Sequence, residues 1–567
     1  MNRFSFCVVV TLGLLVATRE SFADNRDWPQ AAGPEMSWKL GKGSPPVHWS
    51  VARGENVKWR STMPNGGQGG IAVWGDRCFL TTFEEYVIGQ PKYSATILGH
   101  CLDAKTGKRL WTVKLVGENP SPLMYAYSDS TSWTPVTDGR HVWFFNASGE
   151  MGCWDFNGKE VWRRKFLAPG EPFNKQCEPI LFGDTIIDVE PLTAEETAAH
   201  ERQYGKAPED PHPAHPASFW HYLRGIDKNT GRTKWIAEDG TTYYCTPVIG
   251  RLANGTFGVL SGRGGPHDVP ERPIGLTMTS LAPGREGKTL WRYVPDSRPG
   301  GPVDGTTFQA LYTMTWDSQY AYWFRNAPEE SHLVLDANTG KLIREQSLVR
   351  NVDFYQWDPA AQAYVAHGNV SIRDMKDFCP DVRLKPGEVL HVFPNWHANL
   401  VVDGYHYFFT STGHRRNGYA PPGLSGPSHC IGRVNVETGK VEYLEVPVGV
   451  ERLAGKSDRL LYTSPITTQT TDYKGREVAP EDRSRTDGWT IPAFFASPTA
   501  INGRLYMSTM LGITYVVNSR ARTFDKSALL AVNDLGPVGE TWSLNSVSYA
   551  GGHLFSRSLK EVVCIGQ

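Results

Sequence analysis

The residues with the most chemical potential in this sequence fall in four short polar stretches. Asn174, Gln176 and Glu178 precede an apolar run, and Trp396, His397 and Asn399 precede another. Arg263, His267 and Asp268 follow Ser261-Gly262 in a glycine-rich stretch, and His414, Arg415, Arg416 and Asn417 form the fourth cluster. Amide, imidazole, carboxylate and guanidinium groups on loops become a binding site when a rigid scaffold brings them to one opening. The candidate ligand-binding set is therefore Asn174, Glu178, Arg263, His267, Trp396, His397, Asn399, Arg415 and Arg416. Each cluster taken alone reads as ordinary solvated loop chemistry, and the clusters matter only if several converge on one opening. No residue receives a catalytic assignment, because no nucleophile–base or paired-carboxylate spacing is recognisable.

Two further motifs carry little chemistry. His200, His212, His215 and His221 suggest a zinc or copper site, but their spacing matches no strong ligand pattern and prolines intervene. No metal is assigned. Gly262-Arg263-Gly264-Gly265-Pro266 lacks the Gly-Lys-Ser/Thr ending of a phosphate loop.

The elements that must position these groups are repeats. One unit reads apolar-x-Asp, Thr/Asn-Gly-Lys/Arg, two residues and Trp. It runs Leu102-Asp103 to Trp111, Trp154-Asp155 to Trp162 and Ile226-Asp227 to Trp235, with a looser copy at Glu286-Gly287-Lys288 to Trp291. Later copies end at Arg344 and Tyr443, and degenerate ends occur at Trp59 and Trp542. A second unit is a polar residue, often followed by Pro, ahead of Asp/Asn-Gly and an alternating run. Examples are Thr134-Pro135 to Arg140 and Ser497-Pro498 to Arg504, with looser copies at Glu178-Pro179, Thr246-Pro247, His397 and Asn545. Asp-Gly between alternating runs, as in Val401-Val402-Asp403-Gly404-Tyr405, signals a β-hairpin.

A small antiparallel sheet cannot bury both faces alone, so such units stack radially. The expected fold is all-β: a single eight-bladed β-propeller, with seven blades as the alternative count. It spans 24–567 and is closed by pairing the segment around Trp49 to Trp59 with the blade containing Trp542 to Ile565. Trp59, Trp111, Trp162, Trp235, Trp291 and Trp542 are the expected structural residues between blades. An insertion at about 191–221 opens with Thr193-Ala194-Glu195-Glu196, a short capped helix. Two longer intervals before Tyr443 and Trp542 hold degenerate blades, for example around Pro386 to Val389, or long loops.

Composition sets the outer limits. Lys+Arg is 58 against Asp+Glu 59, so no basic field favours nucleic acid. Arg3 followed by the apolar run Phe4 to Thr18 and Ser21-Phe22-Ala23 reads as a signal peptide over 1–23. This predicts export to a periplasmic or extracellular location. No later stretch is long and apolar enough for a transmembrane helix. The nine cysteines include no CxxC, CxxCH or adjacent pair. Cys78 with Cys101 is the one disulfide considered, and buried free thiols are the alternative.

The repeats, together with Trp28-Pro29-Gln30, Glu55 to Trp59 and Val73 to Leu80, resemble bacterial quinoprotein-like propellers. The overall form is similar to the secreted pyrroloquinoline-quinone-like repeat proteins common in planctomycete-like bacteria. That group includes quinone-dependent dehydrogenases and a propeller lipoprotein of outer-membrane assembly. For the dehydrogenase members, the resemblance implies a quinone in the central funnel, a vicinal disulfide, Ca²⁺ held by carboxylate and amide oxygens, and an Asp base. Here the vicinal disulfide is absent and no metal ligand or base can be carried over. The expectation is an exported scaffold for binding or assembly of a protein, glycan or small ligand, with no cofactor assigned. The alternative is a diverged quinone-dependent oxidoreductase acting on alcohols or sugars, with PQQ and calcium.

Overall fold

The computed structural model describes residues 27–64, 66–84, 95–118, 129–168, 177–207, 220–244, 246–264, 271–295, 315–325, 330–374, 391–413, 429–453, 455–462, 471–477, 496–537 and 540–566. The expected signal peptide, His212, His215 and Pro386 to Val389 lie outside them. Among the described residues, eight blades, each built on four antiparallel strands, make up the ring, and a separate two-stranded hairpin pairs Gly449–Glu451 with Arg459–Leu461. Numbered from the first complete one, blade 1 runs Ala72–Trp74, Arg77–Phe83, Thr96–Asp103 and Arg109–Val116. Blade 2 spans Val136–Thr137 to Glu160–Lys165, blade 3 Ile180–Phe182 to Thr233–Gly240, and blade 4 Val248–Arg251 to Thr289–Tyr293. Blade 5 spans Thr315–Trp316 to Leu342–Ser347, blade 6 His391–Val402 to Val441–Glu445, and blade 7 Thr499–Ile501 to Leu529–Asp534.

Blade 8 joins the two ends of the described chain. Ser548–Ala550, His553–Arg557 and Glu561–Ile565 take Val57–Thr62 as their outer strand, in antiparallel register. A sheet made from both ends removes the free edge that an open array of blades would leave.

Strand patterning follows position in the blade. Second strands such as His141–Asn146 are buried on both faces, and their sequence His-Val-Trp-Phe-Phe-Asn is almost continuously apolar. Outer strands such as Glu160–Lys165 alternate exposed and half-buried residues. Apolar side chains pack between neighbouring blades in overlapping clusters spanning blades 1–4, 4–7 and 7 through 8 to 1.

The repeated tryptophan and the repeated Gly lock together across blades. Each outer-strand Trp lies against the Thr-Gly-Lys-type turn of the next blade. Trp59, Trp111, Trp162 and Trp291 donate their indole N–H to Ala104, Phe156, Lys228 and Ala337 carbonyls at 2.8–3.0 Å. The turn glycines Gly107, Gly158, Gly231, Gly287 and Gly340 sit so close to those rings and to Trp235 that a Cβ would come within 2.4–3.2 Å. Arg344 takes the tryptophan's place in blade 5, donating to the Val436 and Glu437 carbonyls of blade 6. Trp542 is placed differently: it is buried in the segment ahead of Ser548–Ala550, not on an outer strand.

Three departures from regularity matter. Blade 6 is widened by the hairpin Val352–Asp358/Ala363–Val370, which pairs in parallel with Val441–Glu445. The insertion in blade 3 contains the helix Ala194–Tyr204, capped reciprocally by Thr193 and Glu196. Glu196 also binds Arg224, whose Nε lies 3.1 Å from Glu190, and Glu190 binds Arg164 of blade 2. Finally, the segment Trp28–Leu40 leaves the blades and crosses the propeller. Trp28 bridges Val73 of blade 1, Pro29 accepts from Thr137 N–H of blade 2, and Gln30 accepts from Leu181 N–H of blade 3. Lys39 and Leu40 then pair in parallel with Ala500 and Ile501 of blade 7.

The cysteine expectation resolves in favour of thiols. Cys78 lies opposite Leu102 and Cys101 opposite Phe79, so the two sulfurs project from opposite faces of their sheet. Both are free and buried, as are Cys153 and Cys564, and Cys177 and Cys430 are buried too.

Candidate functional site

Groups at the head of the inner strands tie neighbouring blades together from blade 7 round to blade 4. Thr499 Oγ1 of blade 7 donates to Val547 O at 2.9 Å, and Ser548 Oγ of blade 8 donates to Ile71 O at 2.6 Å. Gly70 N–H donates to Thr134 Oγ1 at 3.0 Å, linking blades 1 and 2. Thr134 N–H and Oγ1 donate to the two Glu178 carboxylate oxygens at 2.7 and 3.0 Å. Glu178 N–H donates to Thr246 Oγ1 at 3.2 Å, reaching blade 4. The polar-Pro motif is thus a belt of hydrogen bonds from blade 7 round to blade 4. Glu178 is its charged member, and burial pushes its carboxyl up to about 7 against the pull of the Thr134 donors.

Inside this belt, between blades 8, 1 and 2, lies a buried polar network built on the glycine-rich run Gly66 to Gly70. Thr131 N–H and Oγ1 donate to Asp129 Oδ1 at 2.7 and 2.6 Å. Thr131 in turn accepts from Gln68 N–H at its hydroxyl and from Gly69 N–H and Thr81 Oγ1 at its carbonyl. Burial raises the Asp129 carboxyl to about 6, against the donors of Thr131. Arg557, 1% exposed, closes the network: its Nη1 donates to Thr81 O at 2.6 Å and to Gly69 O at 3.4 Å. Burial lowers this guanidinium to about 10, and Asp129 offsets part of the effect through space.

Arg557 Nε and Nη2 have no partner among the described residues, nor do both amide atoms of Gln68. Nε and Nη2 form the edge of a guanidinium that grips a carboxylate or phosphate with two parallel hydrogen bonds. Gly67 packs beside that edge; a Cβ there would lie 2.7 Å from Nη2 and 2.6 Å from Thr81 O. Buried polar groups are paired in nearly all native structures, whether by protein, ion or ordered water.

A second polar centre lies between blades 3 and 4. Fully buried Glu271 Oε1 accepts from His221 N–H at 3.0 Å and lies 3.1 Å from His221 Nδ1. His221 Nε2 and Glu271 Oε2 have no partner among the described residues. Tyr243 stacks edge-on against the imidazole, with centroids 4.3 Å apart.

The sequence-derived candidates divide. Glu178 stands in the belt. Arg263 turns into its own blade, where Nε donates to Pro273 O and Nη1 to Thr277 Oγ1. Asn399 ends a buried chain: His406 Nε2 lies 2.9 Å from Asn399 Oδ1, His332 Nε2 lies 2.9 Å from His406 Nδ1, and Gln346 Nε2 reaches His332 Nδ1 at 2.6 Å. Burial holds both imidazoles well below their ordinary value, so the chain is neutral and links blades 5 and 6. His200 Nε2 lies 2.9 Å from Ala237 O and its ring packs on Tyr204 and Tyr222. Asn174, Gln176, His267, Asp268, His414, Arg415, Arg416 and Asn417 lie outside the described residues, as do the side chains of Trp396 and His397. Arg557, Gln68, Asp129 and Glu271 were not singled out by sequence. The one local signal was the Gly-Gly-Gln-Gly-Gly run around Gln68.

The two acids of the belt and the network, Glu178 and Asp129, already have protein donors. Asp129 Oδ1 accepts from Thr131 and the carboxylate stands in the field of Arg557, and both Glu178 oxygens are held by Thr134. No group of three or more His, Cys, Asp or Glu converges among the described residues. The sequence has no adjacent cysteines.

A family model described as outer membrane protein assembly factor BamB matches residues 50–207 and 94–254, which cover the outer strand of blade 8 and blades 1 to 3. Solved structures similar to this chain include a europium-containing methanol dehydrogenase, at 13% identity over 95% of this chain and 91% of that one, with a TM-score of 0.47. Another is the quinohemoprotein alcohol dehydrogenase from Comamonas testosteroni, at 13% identity over 96% and 81%, with a TM-score of 0.47. BamB from Moraxella catarrhalis is similar at 11% identity over 76% and 96%, with a TM-score of 0.33. No curated protein matches the chain at a significant level. The fold is a PQQ-like, quinoprotein-resembling β-propeller.

Proposed function

We propose that this protein is an exported propeller scaffold that captures an oxyanion-bearing ligand or partner group at the Arg557 guanidinium between blades 8, 1 and 2. The observation that carries the reading is Arg557. Its bidentate edge and the neighbouring Gln68 amide are buried and have no hydrogen-bond partner among the described residues, and Gly67 puts no side chain over that edge. A guanidinium that is already desolvated and fixed by Thr81 and Gly69 binds a carboxylate or phosphate without first ordering itself. An acidic sugar, a protein carboxylate and a small organic acid share that chemistry. Export rests on the signal-peptide pattern at 1–23 and is in keeping with the family model's assembly-factor description.

The test is calorimetric titration of the mature protein with acetate, citrate, glucuronate and phosphate, and with PQQ plus Ca²⁺. A dye-linked oxidation assay over alcohols and sugars runs beside it. Saturable oxyanion binding that is lost in Arg557→Met and weakened in Gln68→Leu, without turnover, supports the scaffold. Quinone- and calcium-dependent oxidation overturns it in favour of a dehydrogenase, and no binding in any arm removes the proposed seat. N-terminal sequencing of the exported chain checks cleavage after residue 23.

A further inference from the structure

The crossing segment Trp28–Leu40 lines an open cavity beside the short hairpin turns of blades 1 to 5. Its volume is about 1220 Å³, and its blade walls include Leu181, Phe182, Ile249, Phe257 and Trp316. Its other wall is the crossing segment, whose backbone takes the left-handed conformation at two non-glycine residues, Met36 (φ 53°) and Trp38 (φ 55°). Such conformations are costly and are held where the surroundings fix them, commonly at ligand clamps.

Lys39 is set into this cavity by strand alternation. Leu40, its neighbour in the pairing with blade 7, is buried in the blade core, so Lys39 projects the other way. Its ammonium makes no hydrogen bond or contact ion pair among the described residues, and burial lowers its affinity for a proton. The nearest acids do not neutralise it directly. Asp317 accepts from Gln319 N–H, Tyr320 N–H and Tyr322 OH, and Asp138 is paired with Lys228 at 2.8 Å. Asp403 accepts from Ser519 Oγ, and Glu35 is exposed.

We infer that this cavity binds a small amphipathic anion: an apolar body against Leu181, Phe182, Ile249 and Trp316, and one acidic group on Lys39. An ammonium beside an apolar wall gains from a partner that supplies both a negative charge and a body that excludes water. The site is separate from the Arg557 seat, and the two stand or fall independently.

Fluorescence titration with anilinonaphthalene sulfonate tests it, with the neutral N-phenyl-1-naphthylamine as control. The expected result is saturable binding of the sulfonate at one site per chain. Lys39→Met should weaken it about tenfold or more while the neutral probe keeps its affinity, and Lys39→Arg should retain the sulfonate. Displacement by laurate or by indole acetate then distinguishes an aliphatic from an aromatic body. Thermal melting of each variant confirms folding; if Lys39→Met fails to fold, Lys39→Gln is read in the same way. Equal sulfonate affinity in the wild type and either neutral variant, or no saturable binding at all, overturns the inference.

Discussion

Glu178 fills a position where the neighbouring blades carry threonine, serine or glycine, and the substitution has a pH signature. Its carboxyl is raised from 4.5 to about 7 by burial. The unfolded chain therefore ionises first, and the folded state must either hold the proton or bury a charge. Stability from this group is fully present below the unfolded value and is lost as pH rises through the folded one. Glu178→Gln presents one acceptor to Thr134 N–H and one donor to Thr134 Oγ1, as the protonated acid does. In denaturant titrations from about pH 5 to about pH 8, the wild type should lose stability with rising pH and the variant should show a flatter profile. An unchanged profile would mean that Glu178 is solvated. Glu178 and Asn399 were visible in the sequence as polar residues ahead of strands, but their depth was not. Arg557 was not visible at all, because its partner Gly69 lies 488 positions away and only ring closure brings the two together.

The blade-to-blade lock was the most legible element, since Thr-Gly-Lys and Trp recur at fixed spacing and each turn receives the preceding blade's ring. Gly231 and Gly183 separate the two demands on such a glycine. Both have positive φ, 71° and 61°, so alanine strains either backbone. At Gly231 a Cβ would also meet the Trp162 ring at 2.7 Å, whereas at Gly183 it meets nothing within 4 Å. Gly231→Ala should cost roughly 1–3 kcal/mol more than Gly183→Ala in equilibrium unfolding. Equal costs would show that the ring gives way and that the lock is loose. The same period misled at the margins. Arg344 does the tryptophan's work through its guanidinium, while Trp542 shares the residue type but lies off the outer strands. The hairpin Val352–Val370 was missed because an inserted pair of alternating strands has no signal beyond that of any hairpin.

At the scale of the whole molecule, the ring closes through a few residues at each end. Val57–Thr62 supplies the outer strand of blade 8, and Glu561–Ile565 is its only strand partner among the described residues. Eight blades and terminal pairing could be anticipated because a radial array with a dangling repeat leaves an unsatisfied edge. The crossing segment could not, since Trp28-Pro29-Gln30 carries no pattern that says which blades it will bridge. Closure gives a sharp expectation. Arg60 and Glu561 meet across the seam in a surface ion pair, with Nε 2.8 Å from Oε2, and Arg60→Ala should change stability by no more than about 1 kcal/mol. Removing residues 561–567 instead takes the buried Val562, Val563 and Ile565 out of the core, uncovers neighbours such as Leu554 and Phe555, and strips the partner from Val57–Thr62. That truncation should lower the melting temperature strongly and broaden or split the unfolding transition, as blades 8 and 1 fray ahead of the rest. A single sharp transition close to that of the intact chain would mean that the crossing segment Trp28–Leu40, rather than the blade 8 seam, holds the ring closed.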